Sequence, residues 1–216
     1  ICSKSPYTGN VCEFIAFCAI WQTFSNFAYA KKQFMLSRNI LSELPRFRTP
    51  FYLYDMDLLR RTVALARDGA FKRGYTLHYA IKANFDPKIL EVMKEYGLGI
   101  DCVSGGEVRC AIESGFDPSG ILFAGVGKTD EEIRYAVENG IMALNCESVE
   151  ELEVVNGICG QLGKVQDVCL RINPDVDPQT HRCISTGQAD SKFGISYETA
   201  WKEAGRLLSL PNIRIM

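Results

Sequence analysis

The sequence predicts an α/β fold in which parallel strands are covered by helices. Between residues 74 and 216, short apolar segments alternate with amphipathic ones, and most amphipathic segments open with a helix-capping signal. Strands joined by helical crossovers pair in parallel, so the alternation predicts a parallel sheet. About five strand–helix units fit in the chain, and both a (β/α)8 barrel and a doubly wound sheet accommodate them.

The first two units carry the clearest punctuation. Residues 75–83 form the first predicted strand, and Asp86 followed by Pro87 marks the start of its helix. The second strand is predicted at residues 98–103. Ser104 and Glu107 then have the spacing of a capping box at the next helix.

The remaining units repeat this pattern. Capping boxes are predicted where a Ser or Thr is followed three residues later by Glu, at Thr129 with Glu132 and at Ser148 with Glu151. The other predicted elements are strands at residues 121–124, 141–145 and 168–173, a helix at 197–208, and a strand beginning at 212.

The first 34 residues differ from the rest in lacking regular hydrophobic periodicity and helix signals. We expect this segment to lie outside the native domain, with Met35 as the natural start and residues 35–216 as the domain. The apolar stretch at residues 11–30 is interrupted by Glu13, Gln22 and Asn26, which argues against a membrane span. A diverged anchor or transit segment is the alternative.

Composition excludes several function classes. Hydrophobic residues make up 47% of the chain and charged residues 23%, and the net charge of −2 gives no reason to expect a nucleic-acid partner. The nine cysteines show no C-x-x-C pair and include Cys102, Cys146 and Cys169 inside apolar segments. This usage predicts buried, reduced thiols in a cytoplasmic protein without a metal site.

Polar residues at strand ends are the candidates for chemistry, because loops at that edge of an α/β sheet carry function. Lys82 ends the first predicted strand, where a lysine is either solvated or a partly desolvated amine able to attack an aldehyde. Asp101 lies inside the second strand and needs a cationic partner, for which Lys82 is the candidate. Arg171 interrupts the fifth strand and could orient a carboxylate.

Three loop features carry more than one interpretation. Residues 124–129 (Ala-Gly-Val-Gly-Lys-Thr) end like a phosphate-binding loop, but that pattern requires a glycine at position 122, where this chain has Leu122. The glycines therefore predict a tight turn. The Gly105-Gly106 pair could cradle an anion or allow close packing. The long polar segment at residues 173–194 indicates a functional loop containing His181 and Lys192, each of which could equally be solvated.

Three blocks of sequence resemble the fold-type III pyridoxal-phosphate decarboxylases, the ornithine/diaminopimelate/arginine decarboxylase group. The first is Tyr-Ala-Ile-Lys-Ala-Asn at residues 79–84, and the second is Asp-Cys-Val-Ser-Gly-Gly-Glu at 101–107. The third begins with Arg-Ile-Asn-Pro at 171–174 and continues through His181 to Ile-Ser-Thr-Gly at 184–187 and Lys-Phe-Gly at 192–194. The resemblance covers about residues 48–216.

The resemblance implies a partial (β/α)8 TIM-type barrel that binds pyridoxal 5′-phosphate, with the family's C-terminal β domain absent. It implies that Lys82 is the Schiff-base lysine and that Asp101 lies close to it. It places Arg171 in the polar lining of the cofactor site. His181, Ser185 and Lys192 would belong to a loop on the substrate side. The family's homodimers share active sites, so a homodimer is implied for the full-length protein.

The blocks at 184–187 and 192–194 are most similar to family members that decarboxylate meso-2,6-diaminopimelate to L-lysine, the last step of lysine synthesis. The alternatives are a decarboxylase of carboxynorspermidine, ornithine or arginine, or a non-catalytic barrel that binds a partner protein. The family's remaining cofactor-binding groups correspond to sequence beyond Met216. We therefore expect the chain by itself to be inactive or insoluble.

Overall fold

The computed structural model describes residues 15–16, 42–48, 50–174 and 194–216 of the 216-residue chain. Strands and helices alternate along most of this length. The helices are α1 (Met56–Phe71), α2 (Pro87–Glu95), α3 (Gly105–Glu113), α4 (Asp130–Asn139), α5 (Val149–Leu162) and α6 (Tyr197–Leu207). The strands are β1 (Ile15–Ala16), β2 (Leu77–Ala80), β3 (Gly99–Cys102), β4 (Ile121–Phe123), β5 (Ala143–Cys146), β6 (Gln166–Leu170), β7 (Ile172–Asn173), β8 (Ile195–Ser196) and β9 (Ile213–Ile215).

The strand order identifies the architecture. Seven strands form one sheet in the order β1-β2-β3-β4-β5-β6-β9, and every pair is parallel. A doubly wound sheet reverses its order at a switch point, whereas this order follows the chain without reversal, as in a barrel. Helices α3 to α6 also contact one another in sequence order, which places them along one face of the sheet. The predicted partial barrel of strand–helix units is confirmed.

Alternating side chains give the sheet two different faces. One set packs under the helices as the hydrophobic core and includes Ile100, Phe123 and Leu144. The opposite set points to the barrel interior, where Asp101 and Leu122 lie side by side in register. The interior face of the strands is therefore where polar groups can collect.

The helix caps hold these crossovers in place, with one correction to the predicted capping boxes. Thr129 and Glu132 form the complete reciprocal box. At Ser104 and Ser148 the hydroxyl accepts the predicted N–H, but Glu107 and Glu151 accept from the backbone N–H one residue earlier, at Val103 and Glu147. Each glutamate thus ties the last residue of the preceding loop to its helix.

Two predicted strands are shorter than the sequence suggested. The first ends at Ala80 and continues as a 3-10 turn, Ile81–Ala83, which contains Lys82. The fifth breaks at Arg171, whose N–H donates to Cys146 O at 2.9 Å while its carbonyl accepts from Ile195 N at 2.8 Å. The backbone changes partners there, from β5 on one side to β8 on the other, so Arg171 lies between two strands.

The pairing of β7 with β8 also brings together both ends of the long polar segment. Asn173 is opposite Ser196, so the chain leaves and re-enters next to Arg171. His181, Ser185 and Lys192 lie outside the described residues, and their predicted placement in a substrate-side loop remains a prediction.

The N-terminal segment is described only at Ile15–Ala16, whose backbone pairs with β2. The expectation that residues 1–34 lie outside the domain remains a prediction. None of the helices in the described ranges has the length and apolar character that crossing a membrane requires.

Candidate active site

A cavity of about 830 Å³ opens at the carboxyl ends of β2 to β6. Its walls come from inward-facing side chains of these strands and from the loops that follow them. The volume is in the range of sites for small molecules and cofactors. All three residues selected from strand ends, Lys82, Asp101 and Arg171, line it.

Lys82 projects from the turn that follows β2, and its side chain is exposed to the cavity. Neighbouring hydrogen bonds fix this turn. The Tyr79 hydroxyl donates to Asn84 O at 3.0 Å, and Asn84 Nδ2 donates to the Tyr54 hydroxyl at 2.9 Å. The amine is thus held on a braced segment at the rim of the barrel.

Asp101 faces the same space from the middle of β3, in register with Ala80 of β2. Burial raises the pKa of its carboxyl, and the nearby Lys82 cation partly opposes that shift, while Glu107 adds to it. No direct ion pair joins Asp101 and Lys82 in the described part of the chain. The predicted pairing is therefore an electrostatic interaction between neighbouring segments, without a direct contact.

Arg171 and Glu147 form an ion pair on the other side of the cavity. Arg171 Nη1 donates to both oxygens of Glu147, at 3.0 and 3.2 Å. The Glu147 side chain is 4% exposed, whereas that of Arg171 is 40% exposed. The carboxylate is thus buried against the protein and the guanidinium remains accessible from the cavity.

The loop at residues 124–129 is the predicted turn, and it lines the cavity between β4 and α4. A contact also shows what lies next to Gly105 of the Gly105-Gly106 pair. Gly105 N donates to Glu132 Oε1 at 2.7 Å, and a Cβ on Gly105 would meet Glu132 Cγ at 2.4 Å. The group next to Gly105 is therefore a carboxylate of the chain itself, from α4, and the prediction of a bound anion at this helix terminus stays a prediction.

Two further polar side chains point into the cavity from the strands. His78 is buried, and burial lowers the pKa of its imidazole while hydrogen bonds with the backbone of Ile100 and Gly120 oppose that shift. Asn145 lies in β5, and its side-chain oxygen is buried with no hydrogen-bond partner in the described structure. Buried acceptors of this kind are normally satisfied by an ordered water or by a ligand group.

Two of the described cysteines, Cys102 and Cys146, are poor candidates for nucleophiles. Burial raises the pKa of the thiols of Cys102 and Cys146, which belong to the hydrophobic core. The prediction of buried thiols is confirmed for these two. It is wrong for Cys169, which is half-buried because its position in β6 faces the cavity. Across the described residues, no group of three or more His, Cys, Asp or Glu side chains is arranged to hold a metal ion.

Sequence reasoning missed Glu147, Asn145 and Lys128, all of which line the cavity. A signal existed for the first two, because Glu147 directly follows a strand and Asn145 lies two residues before it on the same face. Lys128 gave no comparable signal, since the glycines before it indicate only a turn.

Comparison with known proteins gives one consistent family. Residues 58–216 match the family described as pyridoxal-dependent decarboxylase, pyridoxal binding domain. The diaminopimelate decarboxylase of Bacteroides thetaiotaomicron is 45% identical over 170 residues, or 78% of this chain and 44% of that protein. That of Zymomonas mobilis is 46% identical over 173 residues, or 79% of this chain and 41% of that protein.

Solved structures agree with the sequence matches. Diaminopimelate decarboxylase from Helicobacter pylori, complexed with L-lysine, superposes with a TM-score of 0.75 at 36% identity, over 82% of this chain and 45% of that one. The arginine decarboxylase of Paramecium bursaria Chlorella virus gives a TM-score of 0.64 at 25% identity, over 82% of this chain and 46% of that one. The chain spans less than half the length of these relatives. By the extent of these matches, the chain belongs to the pyridoxal-dependent decarboxylases, with residues 58–216 matching the pyridoxal binding domain of that family.

Proposed function

We propose that the full-length protein decarboxylates meso-2,6-diaminopimelate to L-lysine with pyridoxal 5′-phosphate attached to Lys82. Here the full-length protein means the longest natural polypeptide that contains this sequence, and all experiments below use it. The proposal depends above all on one observation, the convergence of Lys82, Asp101 and Arg171 on a single cavity at the carboxyl ends of the strands.

The residues of the cavity fit this cofactor. An accessible primary amine at Lys82 is the group that condenses with an aldehyde. The unpartnered acceptor oxygen of Asn145 and the accessible guanidinium of Arg171 add a hydrogen-bond acceptor and a cation to the same walls. A cavity of about 830 Å³ leaves room for an amino acid beside the cofactor.

Each of these side chains has a role that follows from its surroundings. When bound, pyridoxal phosphate accepts the electrons left behind as the substrate loses its carboxylate. Lys82 would hold the cofactor through its amine, the group that condenses with the aldehyde. Asp101 places a carboxylate on the neighbouring strand, where its charge and that of Lys82 interact. Arg171, held by Glu147, supplies positive charge to the wall at β6.

The choice of substrate is supported by relatives that bear the name diaminopimelate decarboxylase at 45% and 46% identity. The arginine decarboxylase structure is less similar, at 25% identity. Ornithine, arginine and carboxynorspermidine are therefore competitors to be assayed beside meso-2,6-diaminopimelate.

Borohydride reduction tests the covalent attachment. The full-length protein is loaded with pyridoxal phosphate, reduced and digested, and the peptides are mapped. We expect a phosphopyridoxyl group on Lys82 and carbon dioxide release from meso-2,6-diaminopimelate. A label on another lysine, or none at all, contradicts the assignment of Lys82. A correct label with release from ornithine alone corrects only the substrate.

Two further proposals concern the whole protein. We propose a homodimer, which the family resemblance supports and light scattering on the purified protein tests. We also propose a cytoplasmic location, which the free thiols of Cys102, Cys146 and Cys159 favour, because thiols persist in reducing compartments. Fractionation of the source cells tests that location.

A further inference from the structure

Lys128 is a buried cation whose hydrogen-bonding capacity is used entirely by the protein. Its Nζ donates to Gly125 O at 2.7 Å, Asn145 O at 2.8 Å and Glu151 Oε1 at 2.7 Å. An ammonium group has three N–H bonds, so none is left for a ligand. Its side chain is 1% exposed, although the residue contributes to the cavity wall.

These contacts continue to the guanidinium that faces the cavity. Glu151 accepts from Lys128 through one oxygen and from Glu147 N, at 2.8 Å, through the other. The Glu147 carboxylate in turn accepts from Arg171. A series of hydrogen bonds therefore joins the buried ammonium to the guanidinium, and the covalent bonds of Glu147 connect its backbone N–H to its carboxylate within that series.

Lys128 also secures the loop on the other side of the same cavity wall. Its bond to Gly125 O closes the turn between β4 and α4. Gly125 has a φ of +119°, and a Cβ there would lie 3.1 Å from Val103 O, so the loop packs closely on the end of β3. One side chain thus links the ends of β4 and β5 with the start of α5, and its loop contacts the end of β3.

We propose that Lys128 is a positioning residue for the cofactor site, acting on Arg171 through Glu151 and Glu147. This inference rests on the proposed function. Lys128 does not contact the cofactor. It fixes the backbone at Glu147, and through that residue the direction of the Arg171 guanidinium.

The chain offers a matched control. Lys164 Nζ donates to two backbone carbonyls, Val137 O at 3.0 Å and Glu138 O at 2.7 Å, and lies outside the cavity wall. Lys164→Met therefore removes the same kind of lysine-to-backbone bonds without touching the series that ends at Arg171.

The test is a double-mutant cycle on the binding of pyridoxal phosphate. Dissociation constants are measured by absorbance titration for Lys128→Met, Arg171→Met, the double variant and Lys164→Met, with circular dichroism as a check of folding. We expect Lys128→Met to weaken binding about tenfold, and to add little to the loss already caused by Arg171→Met. Lys164→Met should bind as the wild type does.

Three results overturn the proposal: unchanged binding in Lys128→Met, fully additive losses in the double variant, or an equal loss in Lys164→Met. If Lys128→Met is not folded, Lys128→Gln takes its place, because its amide still donates to two of the three acceptors. Failure of the proposed function is separate, since the wild-type protein would then not carry the cofactor on Lys82.

Discussion

The ends of β2 and β4 each carry a lysine into the same cavity, but the two lysines have opposite surroundings. Lys128 donates to three acceptors of the chain and is almost fully buried. Lys82 is exposed. Within the described residues it forms no direct ion pair, and its charge interacts with that of Asp101 only at a distance. A lysine whose N–H groups all donate to acceptors of the chain has a structural role. A lysine without a direct ion pair can interact with a ligand.

The carboxylates show the same division. Glu151 and Glu147 are engaged by Lys128 and Arg171, so their charges are compensated inside the protein. Asp101 is partly buried without a direct cationic contact in the described structure, and the pKa of its carboxyl is raised as a result. On the proposed function, the β2–β3 side of the cavity would be the reactive side and the β4–β5 side would support it.

The largest expected effect is on catalysis, at Lys82. Lys82→Arg keeps the positive charge but removes the amine, so we expect carbon dioxide release from meso-2,6-diaminopimelate to fall at least about a thousandfold. The side chain is exposed, so the free energy of unfolding in urea should change by less than about 0.5 kcal/mol. Lys88→Arg, an exposed lysine outside the cavity wall, is the control and should alter neither. If Lys82→Arg retained its activity, Lys82 would not be the reactive lysine, and its contrast with Lys128 would have no functional meaning.

The next largest effect is on the free energy of unfolding, at Glu151, the ion-pair partner of Lys128. Glu151→Gln leaves the Lys128 ammonium buried without an opposite charge, so we expect the free energy of unfolding to fall by about 3 kcal/mol. Asp167→Asn breaks the more exposed pair with Arg214, which solvent screens, so its loss should be clearly smaller. Urea unfolding of both variants at neutral pH measures the difference. Equal losses would mean that burial does not distinguish the two pairs.

Sequence reasoning was successful where the signals were local. The alternation of strands and helices, the caps at Asp86 and Thr129, and the strand-end position of Lys82 depend on neighbouring residues. These local features could be predicted because each segment contains its own evidence. The barrel could not be predicted in this way, because the alternation also accommodates a doubly wound sheet, and only the family resemblance favoured the strand order that the structure has.

Sequence reasoning was less successful where distant segments meet. Two acceptors of Lys128 lie 17 and 23 residues away, on β5 and α5, so no local pattern marks this lysine as buried. The break at Arg171 depends on Ile195, which reaches it only through the pairing of β7 with β8. Such features require the tertiary structure, because the bonding groups are not adjacent in sequence.

A smaller and opposite effect is expected at Asp101. Folding raises the pKa of this carboxyl above its ordinary value of 3.8, so the folded state holds the proton more tightly than the unfolded state. The free energy of unfolding therefore falls as pH rises from 3.8, the ordinary pKa, through the higher pKa of the folded state. Asp101→Asn removes this dependence, and we expect it to stabilise the protein by roughly 1 kcal/mol at neutral pH and not below pH 3.8. Urea unfolding across pH measures the gain, and pyridoxal phosphate titration should show weaker binding. Destabilisation at neutral pH would show that Asp101 is fully compensated, like Glu151.

The smallest effect concerns Glu132, and its dependence on pH is opposite to that of Asp101. Glu132 accepts from the backbone N–H groups of Thr129 and Gly105, and these bonds, that of Thr129 first, lower the pKa of its carboxyl. Its stabilisation is therefore complete above the ordinary value of 4.5 and is lost as pH falls through the lower folded value. Glu132→Gln keeps one acceptor oxygen, so we expect a loss of about 0.5 kcal/mol at neutral pH that disappears in acid. Glu131→Gln, an exposed neighbour, controls for net charge. A loss that persists unchanged in acid would mean that Glu132 stabilises the fold by packing against Gly105. The charge of its carboxylate would then contribute nothing, unlike the charges of Glu151 and Glu147.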